Sequence, residues 1–325
     1  MQVYNKNNIN IHNCDNIDLL ESLPDDSVNL IYSDILYNTG KKFTDYNDNL
    51  GSPNEAVEWY RPRIQEMKRV LSPNGSIYIH CNWRLDSYMR ILMDDVFGGD
   101  CFRNRIYRKH SNERGFYSNF DSQIDSILYY VKNPRNFVFN EQISTETQTV
   151  ALFEDGIFDG RSDQRMGIDL GAPNKHWLVN HQQLKAMQDK GEVQIINGLP
   201  YRVSNVKAQG NLWDEPEMLD AYSRTIAGGS YDTPKPDSVL ERIISTSSNE
   251  GDIVADFFLG GGTTAVIAKN LNRKFIGCDI NPKACEVTIN KLEGRTPLQA
   301  LRAGNLKPSE VANNQSENII AKKGI

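Results

Sequence analysis

The chain has 325 residues, 24% of them charged, and a formal net charge of −6. This length suits one large α/β domain with an inserted module, and the negative charge argues against indiscriminate nucleic-acid binding without excluding a local basic face. The sequence has no long apolar run and no signal-peptide pattern at its start, which predicts a cytoplasmic protein without a membrane partner. Its five cysteines form no Cys-x-x-Cys pair, so neither a disulfide framework nor a metal site is expected.

Short apolar runs alternate with segments of helical spacing in the first part of the chain. The runs predict strands at 9–15, 27–34, 76–80, 103–109 and 126–131, and the spacing predicts helices at 15–23, 55–71 and 83–97. A polar loop from Tyr37 to about Asn54 is too long for a simple connector, and such loops are usually functional or disordered. Repeated β-α-β alternation predicts a parallel sheet with helices on both faces.

The alternation stops in the middle of the chain and then resumes. Polar, Gly- and Asp-rich sequence from 141 to 225, with a predicted helix at 180–190 and a hairpin at 193–203, indicates an inserted module. A helix at 235–247, a glycine turn, a strand and a helix at 282–293 complete the pattern. These features divide the chain into 1–140, 141–225, 226–295 and a flexible tail at 296–325.

The glycine turn lies in a strand, turn, helix and strand unit at 253–281. Gly260 and Gly262 allow the backbone to turn sharply and to approach a ligand closely, where a Cβ would collide. Asp279 ends the second strand, where a carboxylate can accept both hydroxyls of a ribose or, alternatively, cap the next helix. The unit therefore predicts a nucleotide-like cofactor.

The residues of the turn leave the cofactor open. Residues 260–265 satisfy the dinucleotide pattern G-x-G-x-x-A, in which a nicotinamide enzyme binds a pyrophosphate at the helix N-terminus. A methyltransferase that uses S-adenosylmethionine (SAM) has no phosphate there, and Thr263, Thr264 and Asp256 would instead offer hydrogen bonds to the cofactor. A turn that merely joins a strand to a helix is the third interpretation.

The tetrapeptide Asp34-Ile35-Leu36-Tyr37 follows directly on a predicted buried strand, so we expect it at the carboxyl edge of the sheet, where α/β proteins bind ligands. A carboxylate beside an aromatic ring suits an exocyclic amine. Two acceptors on the amine protons, Asp34 and a backbone carbonyl, free the nitrogen lone pair, and Tyr37 can stack on a base flipped from a duplex. A turn-initiating Asp and a core Tyr are the alternatives.

Residues 103–114 contain five Lys or Arg against one Glu, with Tyr107 among them. Such a run predicts either a solvated charged loop or a surface that contacts the phosphates of DNA.

Four segments together resemble the β group of amino-methylating DNA methyltransferases, particularly the modification subunits of type III restriction systems. They are 13–15 with 34–40, 75–83, 172–177 and 231–279. The resemblance implies a Rossmann-like SAM-dependent methyltransferase fold in circularly permuted motif order, with the catalytic half at 1–140, target recognition at 141–225 and the SAM-binding half at 226–295. Double-stranded DNA is the implied substrate, and a homodimer and a restriction subunit are the candidate partners.

The resemblance also implies roles by position. The catalytic residues are Asp34, Ile35, Leu36 and Tyr37, and the leading Asp favours adenine N6 over cytosine N4, where Ser is more usual. The cofactor-binding residues are Cys14, Asp15, Lys235, Pro236, Asp256, Phe258, Gly260, Gly262, Thr263, Thr264, Asp279 and Ile280. The DNA-binding residues are Arg103, Arg105, Arg108, Lys109, Arg114, Lys175 and His176.

The sequence departs from the family at the tetrapeptide, where Ile35-Leu36 replaces Pro-Pro. Phe257, Asp232 and Pro234 also replace family residues. Because proline fixes φ and removes N–H donors, the replacement leaves the site less pre-organised. The alternatives are a weak or inactive DNA-recognition subunit and a cytosine-N4 methyltransferase, whereas a nicotinamide oxidoreductase is disfavoured because it gives the tetrapeptide no role.

Overall fold

The computed structural model describes residues 1–42, 46–110, 120, 122–155, 175–207, 210–215 and 235–295, with side chains except at 142–148, 154–155, 175–176 and 205–207. The chain divides into two compact units. One combines Met1–Asn140 with Gly210–Ile325, and the other is Glu141–Gln209. Arg114, the departures at Asp232 and Pro234, and the predicted tail at 296–325 lie outside the described residues.

The strands, in chain order, are β1 Gln2–Lys6, β2 Ile9–Asn13, β3 Val28–Asp34, β4 Lys41–Lys42, β5 Asn47–Asp48, β6 Leu71–Cys81, β7 Phe102–Lys109, β8 Ile124–Val131, β9 Gln142–Ala151, β10 Phe153–Asp155, β11 Lys175–Trp177, β12 Val193–Ile196, β13 Leu199–Lys207, β14 Leu212–Trp213, β15 Ile253–Asp256 and β16 Lys274–Asp279. The α-helices are α1 Asn16–Ser22, α2 Pro53–Val70, α3 Asp86–Phe97, α4 His181–Asp189, α5 Asp237–Ser247, α6 Thr263–Asn270 and α7 Pro282–Leu292. Within the described ranges, no helix has the length and apolar character needed to cross a bilayer.

Nine described strands of the first unit form one sheet, in the order β1-β2-β16-β15-β3-β6-β8-β7-β14, and β4 and β5 form a separate antiparallel pair. The five strands from β2 to β6 in this order run parallel to one another. The α/β class is confirmed, and the last two described strands, β15 and β16, lie between β2 and β3, as a permuted motif order requires. The parallel expectation fails at β1 and β8, which run antiparallel to their neighbours.

Three neighbouring parallel strands of this sheet end in an aspartate. Asp279 ends β16, Asp256 ends β15 and Asp34 ends β3. Because the carboxyl ends of parallel strands meet at one edge of a sheet, carboxylates from the two ends of the sequence come together there.

Apolar helices cover both faces of the sheet. On one face α2 buries Ile64 and Met67, and on the other α5 buries Leu240 and Ile243. Ser52 is the N-cap that precedes helix α2, and its side chain forms a capping box with Glu55, an arrangement that satisfies N–H groups at the helix start. The helices therefore pack against the two faces of the sheet.

Two features of the first unit differ from the sequence prediction. Strand β6 begins at Leu71, five residues before the start of the strand predicted at 76–80. Strand β1 was not predicted, although it forms a hairpin with β2 through Asn7 and Asn8, which have φ of +53° and +63°. Two adjacent Asn residues with positive φ are typical of a tight hairpin turn, so the sequence carried this signal.

The second unit contains an antiparallel sheet in the order β12-β13-β9 and the pair β10-β11. The predicted helix at 180–190 is α4, which Asn180 caps, and the predicted hairpin is β12 with β13. Its small apolar core consists of Leu152, Trp177 and Leu184.

Candidate active site

A cavity of about 450 Å³ opens at the carboxyl edge of the sheet, beside the three aspartates. Ligand cavities commonly measure about 300–1,000 Å³, so this one can hold an organic cofactor. The predicted site residues that line it are Cys14, Asp15, Asp34, Ile35, Leu36, Tyr37, Lys235, Asp256, Phe258, Gly260, Gly262, Thr263, Thr264, Asp279 and Ile280. Pro236 precedes the first residue of α5 and is buried.

Asp34 is the polar centre of one side of the cavity. The hydroxyl of Tyr37 donates to Asp34 Oδ1 at 3.0 Å, and Lys235 Nζ donates to Asp34 Oδ2 at 2.5 Å. Lys235 Nζ also lies 5.2 Å from the centre of the Tyr37 ring, within reach of a cation–π contact. The protein therefore already holds an ammonium group between a carboxylate and an aromatic face.

His80, a buried histidine on the neighbouring strand β6, lies close to Asp34. His80 pairs with Asp34 in the β3–β6 register, and its Nδ1 lies 2.9 Å from Tyr32 Oη and 3.9 Å from Asp34 Oδ1. Its Nε2 lies 3.5 Å from Asp125 Oδ2. Burial lowers the pKa of His80, so the imidazole is neutral at neutral pH and Lys235 supplies positive charge beside Asp34.

The glycine turn forms the opposite side of the cavity. Gly262 precedes α6 with φ of +73°, and a Cβ there would lie 2.1 Å from Thr288 Oγ1, so both the backbone and the space require glycine. The N–H of Gly260 donates to Asp279 Oδ2 at 2.9 Å, and Asn281 N donates to Asp279 Oδ1 at 2.9 Å. These bonds fix the carboxylate of Asp279 toward the turn.

Asp256 lies beneath the turn and is fully buried. Burial, with the like charges of Asp34 and Asp279, raises its pKa to about 7, against the opposing hydrogen bonds from Thr264 Oγ1 at 2.7 Å and Phe258 N at 3.0 Å. Burial also raises the pKa of Asp279. Desolvated carboxylates of this kind gain from a cationic ligand.

The charge of the cavity decides between the two cofactors that the sequence left open. A pyrophosphate would bring further negative charge to three aspartates, whereas the sulfonium and ammonium groups of SAM are positive. The arrangement at Asp256 and Asp279 therefore fits SAM. The hydroxyls of Thr263 and Thr264 stand at the first turn of α6, where Thr264 already bonds Asp256.

Aromatic residues border the third side of the cavity, near Asp15. The rings of Trp59 and Phe258 lie 6.3 Å apart, and the Arg63 guanidinium stacks 3.5 Å from the centre of the Trp59 ring. Arg63 also donates to Asp15 Oδ1 at 3.1 Å and to Asn16 Oδ1 at 2.7 Å. Trp59 and Phe258 thus give the cavity flat apolar surface beside Cys14 and Asp15, two of the residues predicted to bind the cofactor.

Burial and hydrogen bonds restrict the backbone at Ile35 and Leu36, although neither residue is proline. The side chain of Ile35 is 3% exposed, and its N–H donates to His80 O at 3.2 Å. The hydroxyl of Tyr60 donates to Leu36 O at 3.0 Å. The tetrapeptide thus has hydrogen-bond partners on two other elements, β6 and α2.

The predicted DNA-binding residues have different surroundings. Arg103 donates to the carbonyl of Asp100, Arg105 pairs with Asp86 Oδ1 at 3.0 Å, and Arg108 is 5% exposed and pairs with Asp125 Oδ2 at 3.4 Å. Lys109 is exposed at the end of β7. Lys175 and His176 lie in β11, and their side chains, like the whole of Arg114, are outside the described part of the chain.

Several residues of the site were not singled out from the sequence. Trp59 and Tyr60 were assigned to the apolar face of a helix, which their spacing supports equally well. Arg63 and His80 carried no signal, because their partners lie far away in the sequence. Asp48 stood in a polar loop with many similar residues.

Comparison with known proteins identifies the relatives of this chain. A family model described as DNA methylase, of the N6/N4 class, matches residues 28–291. The chain is 28% identical over 300 residues to the type II methyltransferase M.EcaI of Enterobacter cloacae, covering 83% of this chain and 66% of that protein. It is 28% identical over 299 residues to the DNA adenine methyltransferase YhdJ of Escherichia coli K12, covering 90% of this chain and 86% of that protein.

A type III restriction relative and a solved structure match as well. The StyLTI Mod subunit of Salmonella typhimurium is 25% identical over 373 residues, covering 90% of this chain and 56% of that protein. The solved PvuII cytosine-N4-specific DNA methyltransferase aligns with a TM-score of 0.54 at 15% identity, over 87% of this chain and 85% of that one. The resemblance to type III modification subunits is confirmed, and the solved structure supports the fold.

Proposed function

The chain belongs to the DNA methylase family of the N6/N4 class, and from that premise we propose that it methylates the N6 amino group of a specific adenine in double-stranded DNA. Membership makes it a SAM-dependent methyltransferase of DNA, and the sequence-based prediction of this activity and cofactor is confirmed. The base, its extrusion from the duplex and the role of each residue are the proposal.

One observation carries the choice of reaction: Asp34 and Tyr37 stand together in the cavity that also holds Asp256 and Asp279. A carboxylate beside an aromatic ring suits a flat base that bears an amine. The ammonium group of Lys235 occupies this position now, bonded to Asp34 and close to the Tyr37 ring. A positively polarised N–H group is therefore what this corner accepts.

Each residue of the site has a separate role in a direct transfer of the methyl group from SAM to the base. SAM, when bound, supplies an electrophilic methyl group on its sulfonium. Asp34 and the backbone carbonyl of Ile35 accept the two amine protons, which directs the nitrogen lone pair toward that methyl, and Tyr37 stacks on the extruded base. One N–H proton leaves to Asp34 or to solvent after the new N–C bond forms, so no covalent enzyme intermediate is needed.

Adenine is favoured over cytosine because the tetrapeptide of this chain begins with Asp34. In the family that the chain resembles, the tetrapeptide of the cytosine-N4 enzymes more usually begins with Ser. The relative YhdJ is described as a DNA adenine methyltransferase. Cytosine N4 remains the second candidate, supported by the structural match to a cytosine-N4-specific enzyme. The product of the reaction separates the two.

The Glu141–Gln209 unit is the proposed target-recognition region, since its sequence interrupts the methyltransferase pattern. Lys109, which is exposed at the end of β7, is proposed to contact phosphates, whereas the buried Arg108 is no longer proposed for that role. Unidentified side chains of the second unit are proposed to read bases. A homodimer and a restriction subunit stay as proposed partners, the latter because a relative is a Mod subunit of a restriction enzyme.

The test is transfer of label from methyl-labelled SAM to unmethylated duplex DNA, followed by digestion to nucleosides. We expect label in N6-methyladenine, and its loss in Asp34→Ala with SAM binding retained. DNA binding without any label would support the inactive recognition subunit instead. Label in N4-methylcytosine would replace adenine as the target.

A further inference from the structure

The backbone that follows β3 is hydrogen-bonded to two other elements, β6 and α2. The N–H of Ile35 bonds His80 O, Leu36 O accepts the hydroxyl of Tyr60, and Tyr37 Oη bonds Asp34. Tyr60 itself is fully buried in α2. These contacts hold the residues on either side of the Ile35–Leu36 peptide, where the resembling family has prolines.

Asp48, which is 2% exposed, accepts three hydrogen bonds from the residues that follow Tyr37. Its Oδ1 accepts the N–H of Asn38 at 2.9 Å, and its Oδ2 accepts the N–H of Thr39 at 3.0 Å and the hydroxyl of Thr39 at 2.5 Å. Two successive backbone N–H groups that converge on one carboxylate make charge-assisted bonds, which are stronger than bonds between neutral groups.

The conformation of Asn38 explains why such a fastening is needed. Asn38 has φ of +52°, in the left-handed region, directly after Tyr37. Asn adopts this conformation more readily than most residues with a side chain, because its short polar side chain can hydrogen-bond locally, and such bonds offset the remaining strain. Asn38 is also tied through its own side chain, which donates to Gly51 O at 2.9 Å and accepts the N–H of Leu50 at 2.8 Å.

We propose that Asp48 and Tyr60 are positioning residues for methyl transfer. They hold the 34–37 backbone so that the Asp34 carboxylate and the Ile35 carbonyl both face the target amine, and Tyr37 faces its ring. In the resembling family, proline supplies part of this restriction by fixing φ. The inference rests on the proposed function, because it assigns a task within that reaction.

The first test measures kcat and SAM affinity separately. Asp48→Asn puts an amide in place of a carboxylate that accepts three donors, so we expect kcat to fall by about 10²-fold, the scale of a misplaced catalytic group. SAM affinity by calorimetry should stay as in the wild type, because Asp256 and Asp279 are untouched. Tyr60→Phe, which removes one bond, should lower kcat by a smaller factor.

The second test is rescue by proline. Within the part of the chain that the structure describes, the N–H of Leu36 donates to no acceptor, so Leu36→Pro removes no hydrogen bond. Proline there restricts its own φ and biases Ile35 toward an extended conformation. We expect Leu36→Pro to restore much of the kcat lost in Asp48→Asn, which a general loss of stability would not allow.

Ser52→Ala provides the matched control, since it removes the helix cap that follows the same loop without touching the 34–39 segment. It should lower Tm and leave kcat unchanged. If Asp48→Asn does not fold, Thr39→Val tests the same carboxylate through one lost donor, and the same rescue applies. The positioning role is overturned if Asp48→Asn has the wild-type kcat. It is also overturned if Leu36→Pro does not restore the kcat that Asp48→Asn loses. Wild-type protein that methylates no DNA contradicts the proposed function instead.

Discussion

Asp256 links cofactor binding to pH. Its pKa of about 7 belongs to the free protein and results first from burial. A cationic ligand stabilises the ionised form, so SAM binding below pH 7 must release the proton of Asp256. The Kd for SAM should therefore fall with rising pH, by up to about tenfold per pH unit below that pKa, and level off above it. Calorimetry in buffers of different ionisation enthalpy measures the released proton.

Asp256→Asn provides the comparison for this prediction. The variant should bind SAM more weakly at pH 8 and lose the pH dependence, because the amide does not titrate. The raised pKa also makes the stability of the free wild-type protein depend on pH, in the opposite direction to its affinity for SAM. Its folded state binds more protons than its unfolded state between the ordinary Asp pKa and about 7, so stability falls as pH rises through that window. A pH-independent SAM Kd in the wild type would refute the link.

Gly262 is a second residue whose role can be measured. Gly262→Ala forces a Cβ against Thr288 at a φ of +73°, so the strain of about 1–2 kcal/mol for a left-handed residue is joined by about 1–3 kcal/mol of overpacking. Gly294→Ala is the matched control, because its φ is +65° and nothing lies within 4 Å. Denaturant unfolding should show the larger loss at 262, and only that variant should lose SAM affinity.

Two of the three arginines of helix α2, Arg63 and Arg61, have different expected contributions to stability. Arg63 is buried and bonds Asp15 and Asn16, so Arg63→Lys should lower the free energy of unfolding by about 1.5–3 kcal/mol. Arg61 pairs with Glu58 and Asp95, both largely exposed, so Arg61→Lys should cost less than about 1 kcal/mol. Equal losses in urea unfolding would show that the α1–α2 contact contributes no more than a surface pair.

The same elements show how far sequence patterns reach. Strands β2, β3, β7 and β8 and helices α2, α3 and α7 were located because apolar periodicity and caps are local signals. Strand order is not local, so the antiparallel direction of β8 did not follow from the sequence. Neither did the Lys235–Asp34 bond, which joins residues 201 positions apart and places a predicted cofactor residue against the carboxylate that is proposed to be catalytic.

At the scale of the whole molecule, the acidic chain must present a basic surface where DNA binds. Strand β7 runs parallel to β6, because β8 is antiparallel to both. Lys109 is the last residue of β7, so it lies at the same edge of the sheet as Asp34. Lys109→Gln should weaken binding to every duplex and reduce the slope of log K against log salt by about one unit. Lys274→Gln is the control, because Lys274 is exposed at the start of β16, on the opposite edge. Equal effects of the two would contradict the placement of DNA.

The central claim is that Asp34 and Tyr37 direct SAM-dependent methylation to adenine N6. The most direct measurement is mass spectrometry of nucleosides from a methylation-free bacterial host that expresses the protein. We predict N6-methyladenine in that DNA, absent when the host expresses Asp34→Asn at the same level. DNA without any methylated adenine in the wild-type strain, or equal N6-methyladenine with Asp34→Asn, would contradict the account.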